Sequence, residues 1–286
     1  MGDRSIPRSV LIDDFAGVLL DVDGTLLSEE GAIPGAGAVI ARLRDRGVPF
    51  RVLTNITRRS RRSVVDRLAA HGVEVSVSDV LTAVCAAGEW MRRRGIRRVA
   101  PFVMPDALED LAGFELVGGT SRPATDAPVA SVRPPDAVLI GDLGDTWSHA
   151  LLNEAFRYVM DGAQLVVPQL GRYWLGPTGL EIDAGAYVAA LEYATGEQAT
   201  VCGKPNPEFF GAAVASLIGL RDQPIDGEGV GLPVAMVGDD LWTDIQGAQR
   251  AGLQGWLVRT GKYREDALAS SGIRPDRVLD SVADLC

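Results

Sequence analysis

Residues 17–26 read Gly17-Val18-Leu19-Leu20-Asp21-Val22-Asp23-Gly24-Thr25-Leu26. A short apolar run, Gly17 to Leu20, passes directly into two carboxylates and a glycine, the pattern of a strand that ends in a polar loop. The acids fall at the carboxyl end of that strand, which is where open α/β sheets bind ligands. Asp21 and Asp23 stand two residues apart, so both reach one point only if the chain turns there, and Gly24 permits the turn. Such a pair suits a hard divalent cation, because Mg2+ takes oxygen ligands from one or two carboxylates and from substrate phosphate. The plainer alternative is an Asp-rich turn with solvated side chains.

Outward from this stretch, short apolar runs alternate with helical patterns, as in a parallel sheet with crossover helices. Strands are expected at Gly17 to Leu20, Phe50 to Leu53, Ala137 to Ile140, Leu165 to Val167, Thr200 to Cys202, Val234 to Val237 and Gly255 to Val258. Helices are expected at 36–46, 60–70, 83–94, 148–160, 184–194, 207–217, 242–251 and 264–269. In the first of these Val39, Ile40 and Leu43 form one apolar stripe, and Gly47 stops the helix. The stretch from Gly118 to Pro135, rich in Pro, Gly, Ser and Thr, reads as a surface connection.

Three further strand ends carry matching chemistry. Phe50 to Leu53 leads into Thr54-Asn55, Val201-Cys202-Gly203 into Lys204-Pro205, and Val234 to Val237 into Gly238-Asp239-Asp240 with Asp244 beyond. Read as four core strands, they deliver acid, hydroxyl, ammonium and acid to one sheet edge. Each has a dull reading alone: Thr54 as a helix cap, Lys204 as a surface charge, Asp239 as a turn residue. Their joint occurrence at strand ends is what points to a site.

Composition excludes other classes. A net charge of -10 argues against a nucleic-acid partner, since phosphate-backbone affinity comes from neutralising cations. Arg58, Arg59, Arg61 and Arg62 form one local arginine cluster and Arg92, Arg93, Arg94, Arg97 and Arg98 another, and both read as solvated helix faces. Cys85, Cys202 and Cys286 are few, odd in number and widely spaced, which fits a reducing compartment. His71 and His149 are too few for a structural zinc site. No apolar run reaches signal-peptide or membrane-span length, so a cytoplasmic protein without a membrane partner is expected. GxGxxG after the first strand, GxxxxGK[ST], GxSxG and HExxH are absent. Of the 28 basic residues only Lys204 and Lys262 are lysines. Lys204 stands at a strand end; Lys262 has no chemical role that the sequence assigns.

Taken together, Asp21-Val22-Asp23-Gly24-Thr25-Leu26, Thr54-Asn55, Gly203-Lys204-Pro205 and Gly238-Asp239-Asp240 with Thr243-Asp244 resemble, in order, the four signature motifs of the haloacid dehalogenase superfamily. Further stretches are similar to the subgroup holding p-nitrophenyl phosphatases, pyridoxal phosphatase and phospholysine phosphohistidine inorganic pyrophosphate phosphatase. They are Leu152-Asn153-Glu154-Ala155-Phe156, Ala190-Leu191-Glu192-Tyr193-Ala194-Thr195-Gly196 and Val258-Arg259-Thr260-Gly261-Lys262-Tyr263. The resemblance covers residues 15–275 and is greatest toward the last-named enzyme.

It implies an α/β fold: a Rossmann-like parallel-sheet core with an inserted α/β cap of the C2 type. Spacing locates the insertion independently. The 33 residues from Asp21 to Thr54 hold one helix and one strand, whereas 150 separate Thr54 from Lys204. The expected core is therefore 1–79 with 199–286, and the expected cap 80–198. The resemblance also implies a Mg2+-dependent phosphatase acting on a small phosphorylated substrate, with a homodimer through the cap as a further expectation. Asp21 is the nucleophile, and Asp23 is acid and base. Thr54, the Asn55 amide and Lys204 bind the transferring oxygens. The ion is held by Asp21, the Asp23 carbonyl and Asp239, with Asp244 and Asp240 orienting its ligands. Arg172, Tyr173, Trp174 and Asp183 of the cap read more as packing than as recognition. A non-catalytic metal- or phosphate-binding module is the alternative, and the retained pair Asp21 and Asp23 weighs against it.

Overall fold

A computed structural model describes residues 15–121, 133–176, 179–218 and 233–285. The N-terminal residues before Phe15, most of the Gly118 to Pro135 connection, and Cys286 lie outside the described residues. In chain order the strands are β1 (Gly17–Asp21), β2 (Leu27–Ser28), β3 (Gly31–Ala32), β4 (Phe50–Thr54), β5 (Val80–Thr82), β6 (Arg98–Phe102), β7 (Glu115–Leu116), β8 (Ala137–Ile140), β9 (Gln164–Val167), β10 (Tyr173–Gly176), β11 (Gly179–Ile182), β12 (Thr200–Val201), β13 (Val234–Gly238), β14 (Gln254–Val258) and β15 (Arg277–Leu279). The α-helices are α1 (Ala36–Asp45), α2 (Arg61–Ala69), α3 (Ala83–Arg93), α4 (His149–Met160), α5 (Ala184–Thr195), α6 (Pro207–Ile218), α7 (Gly247–Arg250) and α8 (Glu265–Ser271).

The chain divides into two compact units, one of Met1–Leu53, Val65–Val80 and Pro207–Cys286, the other of Thr54–Val64 and Leu81–Asn206. The first is organised on a six-stranded sheet in the order β15-β14-β13-β1-β4-β5. β1 runs parallel to β13 with Leu20 opposite Val237, and parallel to β4 with Asp21 opposite Leu53. Val18, Leu19 and Leu20 are almost wholly buried, because a central parallel strand has both faces covered and selects a continuous apolar run. Val39, Ile40 and Leu43 of α1 are buried as their stripe predicts. The helix expected at 242–251 begins instead as a π-helical turn, Leu241–Gln246, and continues as α7. Such wide turns occur most often at functional sites.

The second unit has its own parallel sheet, β12-β9-β8-β6-β7, and an antiparallel β10–β11 hairpin. Two apolar clusters fill it. One holds Val84, Trp90, Met91, Val99 and Leu139, the other Phe102, Ile140, Val159 and Leu191. The strand before Lys204, expected in the core sheet, lies elsewhere. β12 pairs in parallel with β9, Thr200 opposite Val166, so the strand before Lys204 belongs to this sheet and not to the six-stranded one. Two residues of strand following α5 pair with the nearest preceding parallel strand, as consecutive elements usually do.

In the arginine cluster at 58–62, Arg59 and Arg62 are exposed as expected, but Arg58 and Arg61 are not part of a solvated face. The Arg58 guanidinium grips Asp142 through Nε at 2.7 Å and Nη2 at 3.1 Å and lies 4.9 Å from the centre of the Trp174 ring. Arg61 donates to buried Asp110 from Nε at 2.9 Å and from its main chain at 3.1 Å, and Arg62 pairs with Glu109. These bonds tie the segment 54–64 into the second unit. In the other cluster Arg92 and Arg94 lie over the rings of Phe114 and Trp90, so their stems and faces cover apolar surface.

Candidate active site

The carboxyl end of β1 gathers acid. Asp21, Asp239 and Asp244 are 6%, 2% and 1% exposed, and each offers a carboxylate oxygen within 4.8 Å of the others. Asp21 ends β1, and Asp239 follows β13, the strand beside it, so the sheet register sets these two side by side. Asp244 comes from the π-helical turn that begins two residues after Asp239. Its Oδ2 accepts the Asp240 main-chain N–H at 3.1 Å. A side chain at Gly238 would place its Cβ inside the Asp244 carboxylate, so glycine is required where β13 ends.

Two further loops close on Asp239. After Asp21 the chain folds back on itself: the main-chain N–H groups of Leu26 and Leu27 donate to Val22 O at 2.9 Å, and Gly24 N–H donates to Leu27 O at 2.6 Å. Gly24 has φ +89°, which favours glycine, and a Cβ there would overlap Asp239 Oδ2. Gly261, φ +58°, lies against Gly24, and a Cβ there would come equally close to the same oxygen. The Lys262 main-chain N–H donates to Asp239 Oδ2 at 2.7 Å, and the Thr260 hydroxyl donates to the Gly24 carbonyl. The turn after β1 and the turn after β14 thus meet at Asp239.

Asp240 has a different task. Its Oδ1 accepts the N–H groups of Trp242 and Thr243, both at 3.0 Å, and caps the π-helical turn. Its Oδ2 accepts the Lys262 ammonium at 3.1 Å. Burial alone would raise the Asp240 carboxyl, but the Lys262 charge and the capping N–H groups outweigh it and hold it below the ordinary range. Partial desolvation acts to lower the Lys262 ammonium, and the carboxylates of Asp240, Asp239 and Asp21 overcome this and raise it.

The sequence-predicted residues therefore separate. Asp21, Asp239 and Asp244 converge, whereas the Asp23 carboxylate is half exposed and accepts Arg67 Nη1 at 2.7 Å. In the second unit Thr54 is buried, its hydroxyl accepting the Ile56 N–H at 3.1 Å. The Asn55 side chain clamps the main chain of Lys204: Oδ1 accepts the Lys204 N–H at 2.9 Å and Nδ2 donates to the Lys204 carbonyl at 2.8 Å. Lys204 is itself buried. Asp183 caps α5 by accepting the Ala184 N–H at 2.6 Å and also accepts Gln169 Nε2; burial pushes its carboxyl up. Tyr173 is exposed.

Thr260, Gly261, Lys262 and Arg67 are site neighbours that sequence reasoning misses. The scarcity of lysine and the family-like stretch from Val258 to Tyr263 marked three of them without assigning a role, and nothing marked Arg67. The donor set fits a hard divalent cation: three carboxylates held together out of water need compensating positive charge, and all their ligand atoms are oxygens.

Residues 18–116 match a family model described as haloacid dehalogenase-like hydrolase, and residues 201–285 one described as HAD-hydrolase-like. The chain is 36% identical over 249 residues to haloacid dehalogenase-like hydrolase domain-containing protein 2 of Rattus norvegicus, covering 86% of this chain and 85% of that protein. It is 35% identical over 273 residues to the phospholysine phosphohistidine inorganic pyrophosphate phosphatase of Danio rerio, covering 93% and 91%. Among solved structures, a glycerol phosphate phosphatase from Mycobacterium tuberculosis in complex with magnesium aligns at a TM-score of 0.79 with 27% identity, over 96% of this chain and 77% of that one. The same phosphatase has also been crystallised with calcium.

Proposed function

Because the chain belongs to the haloacid dehalogenase superfamily of hydrolases, we propose that it is a Mg2+-dependent phosphatase that hydrolyses a small phosphorylated metabolite, pyrophosphate or a phosphoramidate through an aspartyl-phosphate on Asp21. The observation that carries this reading is the convergence of Asp21, Asp239 and Asp244, all buried, at neighbouring strand ends. These residues would hold the ion together with the Asp23 carbonyl. When bound, Mg2+ supplies positive charge that neutralises phosphate oxygens and offsets their repulsion from Asp21.

The protein's own residues do the rest. An Asp21 oxygen forms a bond to phosphorus as the bond to the leaving oxygen or nitrogen breaks. Asp23 gives its proton to the leaving atom. Water then attacks phosphorus, Asp23 takes its proton, and release of phosphate regenerates the Asp21 carboxylate. Asp23 is suited to exchange partners because its carboxylate is half exposed and held only at the surface by Arg67. Thr54 and the Asn55 amide donate to the transferring oxygens, and Lys204 places a compact charge beside them. The Asn55 side chain serves this by fixing the Lys204 main chain. Residues 80–198 furnish the cap that selects the leaving group. A homodimer through this part of the chain is supported by exposed Tyr173, Leu180 and Ile182 on the β10–β11 hairpin.

The test is a hydrolysis panel with and without Mg2+: p-nitrophenyl phosphate, pyridoxal phosphate, phosphoglycolate, sugar phosphates, pyrophosphate and a phosphoramidate. Turnover of at least one member that requires Mg2+ is the expected result. No turnover of any member, with the cation bound, would replace this reading by that of a binding module.

A further inference from the structure

Lys262 is one of two lysines beside 26 arginines, and it stands on a turn fastened twice to the acidic centre. Its main-chain N–H reaches Asp239 Oδ2 at 2.7 Å, and its ammonium reaches Asp240 Oδ2 at 3.1 Å. The turn is anchored a third time by the Thr260 hydroxyl on the Gly24 carbonyl. The Lys262 side chain is nevertheless 70% exposed. A solvated ion pair of this kind adds little to stability, so the ammonium needs another account.

Its field supplies one. Asp21, Asp239, Asp240 and Asp244 crowd the same end of the sheet, and a phosphorylated substrate adds negative charge to theirs. A fixed positive charge there acts with opposite sign on the two ligands of the site: it repels a divalent cation and attracts a phosphate dianion. We propose that Lys262 is the charge-balancing residue of the acidic centre, which weakens cation binding and strengthens anion binding. It touches Asp239 and Asp240 and acts on both ligands through its charge, so it is a positioning residue. Lysine suits this task because a compact ammonium makes a single bond to Asp240, whereas a guanidinium fork would engage a carboxylate through two. The proposal rests on reading Asp21, Asp239 and Asp244 as the cation site.

Titration calorimetry of the full chain with Mg2+ alone, and with inorganic phosphate at saturating Mg2+, tests it in the wild type, Lys262→Gln and Lys262→Arg. Lys262→Gln is expected to bind Mg2+ roughly three- to tenfold more tightly at low ionic strength and phosphate more weakly by a similar factor. Both shifts should shrink in high salt. Lys262→Arg, which keeps the charge, is expected to stay within about twofold of wild type on both. A purely structural role would move both affinities in the same direction or leave them unchanged, and either outcome overturns the proposal. If the wild type takes up no Mg2+, the cation reading of the three carboxylates fails as well; wild-type uptake with an unshifted Gln variant overturns the Lys262 assignment alone.

Discussion

Two buried carboxylates of the second unit each meet an arginine: Asp142 faces Arg58 at 2.7 Å, and Asp110 faces Arg61 at 2.9 Å. At the carboxyl end of the six-stranded sheet, Asp21, Asp239 and Asp244 are brought within 4.8 Å of one another, and main-chain N–H groups reach Asp239 and Asp244. Burying a charge is expensive unless it is compensated. In the first arrangement the compensation is built into the chain, so the pairs serve the fold. In the second, three acids gather at one point, with Asp240 and the Lys262 ammonium beside them. The difference separates acids paired within the fold from the acids proposed to act on a ligand.

The largest effect expected from breaking this contrast is on turnover. Asp21→Asn removes the proposed nucleophile while keeping the shape of the side chain, and kcat should fall by on the order of a thousandfold or more. The fold should persist. Steady-state kinetics with thermal melts of the same samples checks both. Substantial residual turnover would rule out a covalent route through Asp21.

Arg61→Ala attacks the other kind of acid. It leaves Asp110, almost wholly buried, with the Thr82 hydroxyl at 2.9 Å and the main-chain N–H of residue 61 at 3.1 Å but without its guanidinium. Removing one partner of a buried pair is strongly destabilising, and with Arg61 about one third exposed the loss should be about 2–3 kcal/mol. Urea denaturation measures it. The Mg2+ affinity of the folded protein should not move; a large change in it would mean that the two kinds of acid are not as separate as their contacts imply.

The candidate site was legible in the sequence at its clustered acids, Asp21, Asp239 and Asp244, but not at Arg67, whose guanidinium meets Asp23. Val234 to Val237 running into Gly238-Asp239-Asp240, and Gly17 to Leu20 running into Asp21, announce both the strands and the acids, because a central parallel strand needs an apolar run and a site needs a polar end. It was illegible where the main chain acts. Lys262 reaches Asp239 through its N–H, a donor that almost every residue type possesses, and Gly261 matters for a carboxylate distant in sequence. The fold followed the same division. β6 escapes periodicity because Pro101 interrupts it and arginines precede it, and β12 is too short to declare which sheet it joins. The arginines at 58–62 misled because a run of like charge reads as solvent-facing, while the carboxylates that neutralise Arg58 and Arg61 lie 84 and 49 residues away in the chain.

Asp136 offers the smallest and most graded test, because it is an acid of the second unit compensated chiefly by amides. Its carboxylate accepts the main-chain N–H groups of Arg97 and Arg98 at 3.0 and 2.9 Å, joined by the Arg133 guanidinium at 3.0 Å. The Arg97 amide bond first, with the Arg98 amide and the Arg133 charge, overcomes partial burial and holds the carboxyl below the usual carboxylate range. A group depressed in the folded state stabilises at pH above its unfolded value, about 3.9, and loses that contribution as pH falls through its folded value. Asp136→Asn should therefore cost about 1 kcal/mol at neutral pH. In urea titrations the difference from wild type should stay level down to roughly pH 5 and shrink below about pH 4. A difference that grew on acidification would assign Asp136 to the other class, an acid that the fold holds at a cost and that protonation relieves.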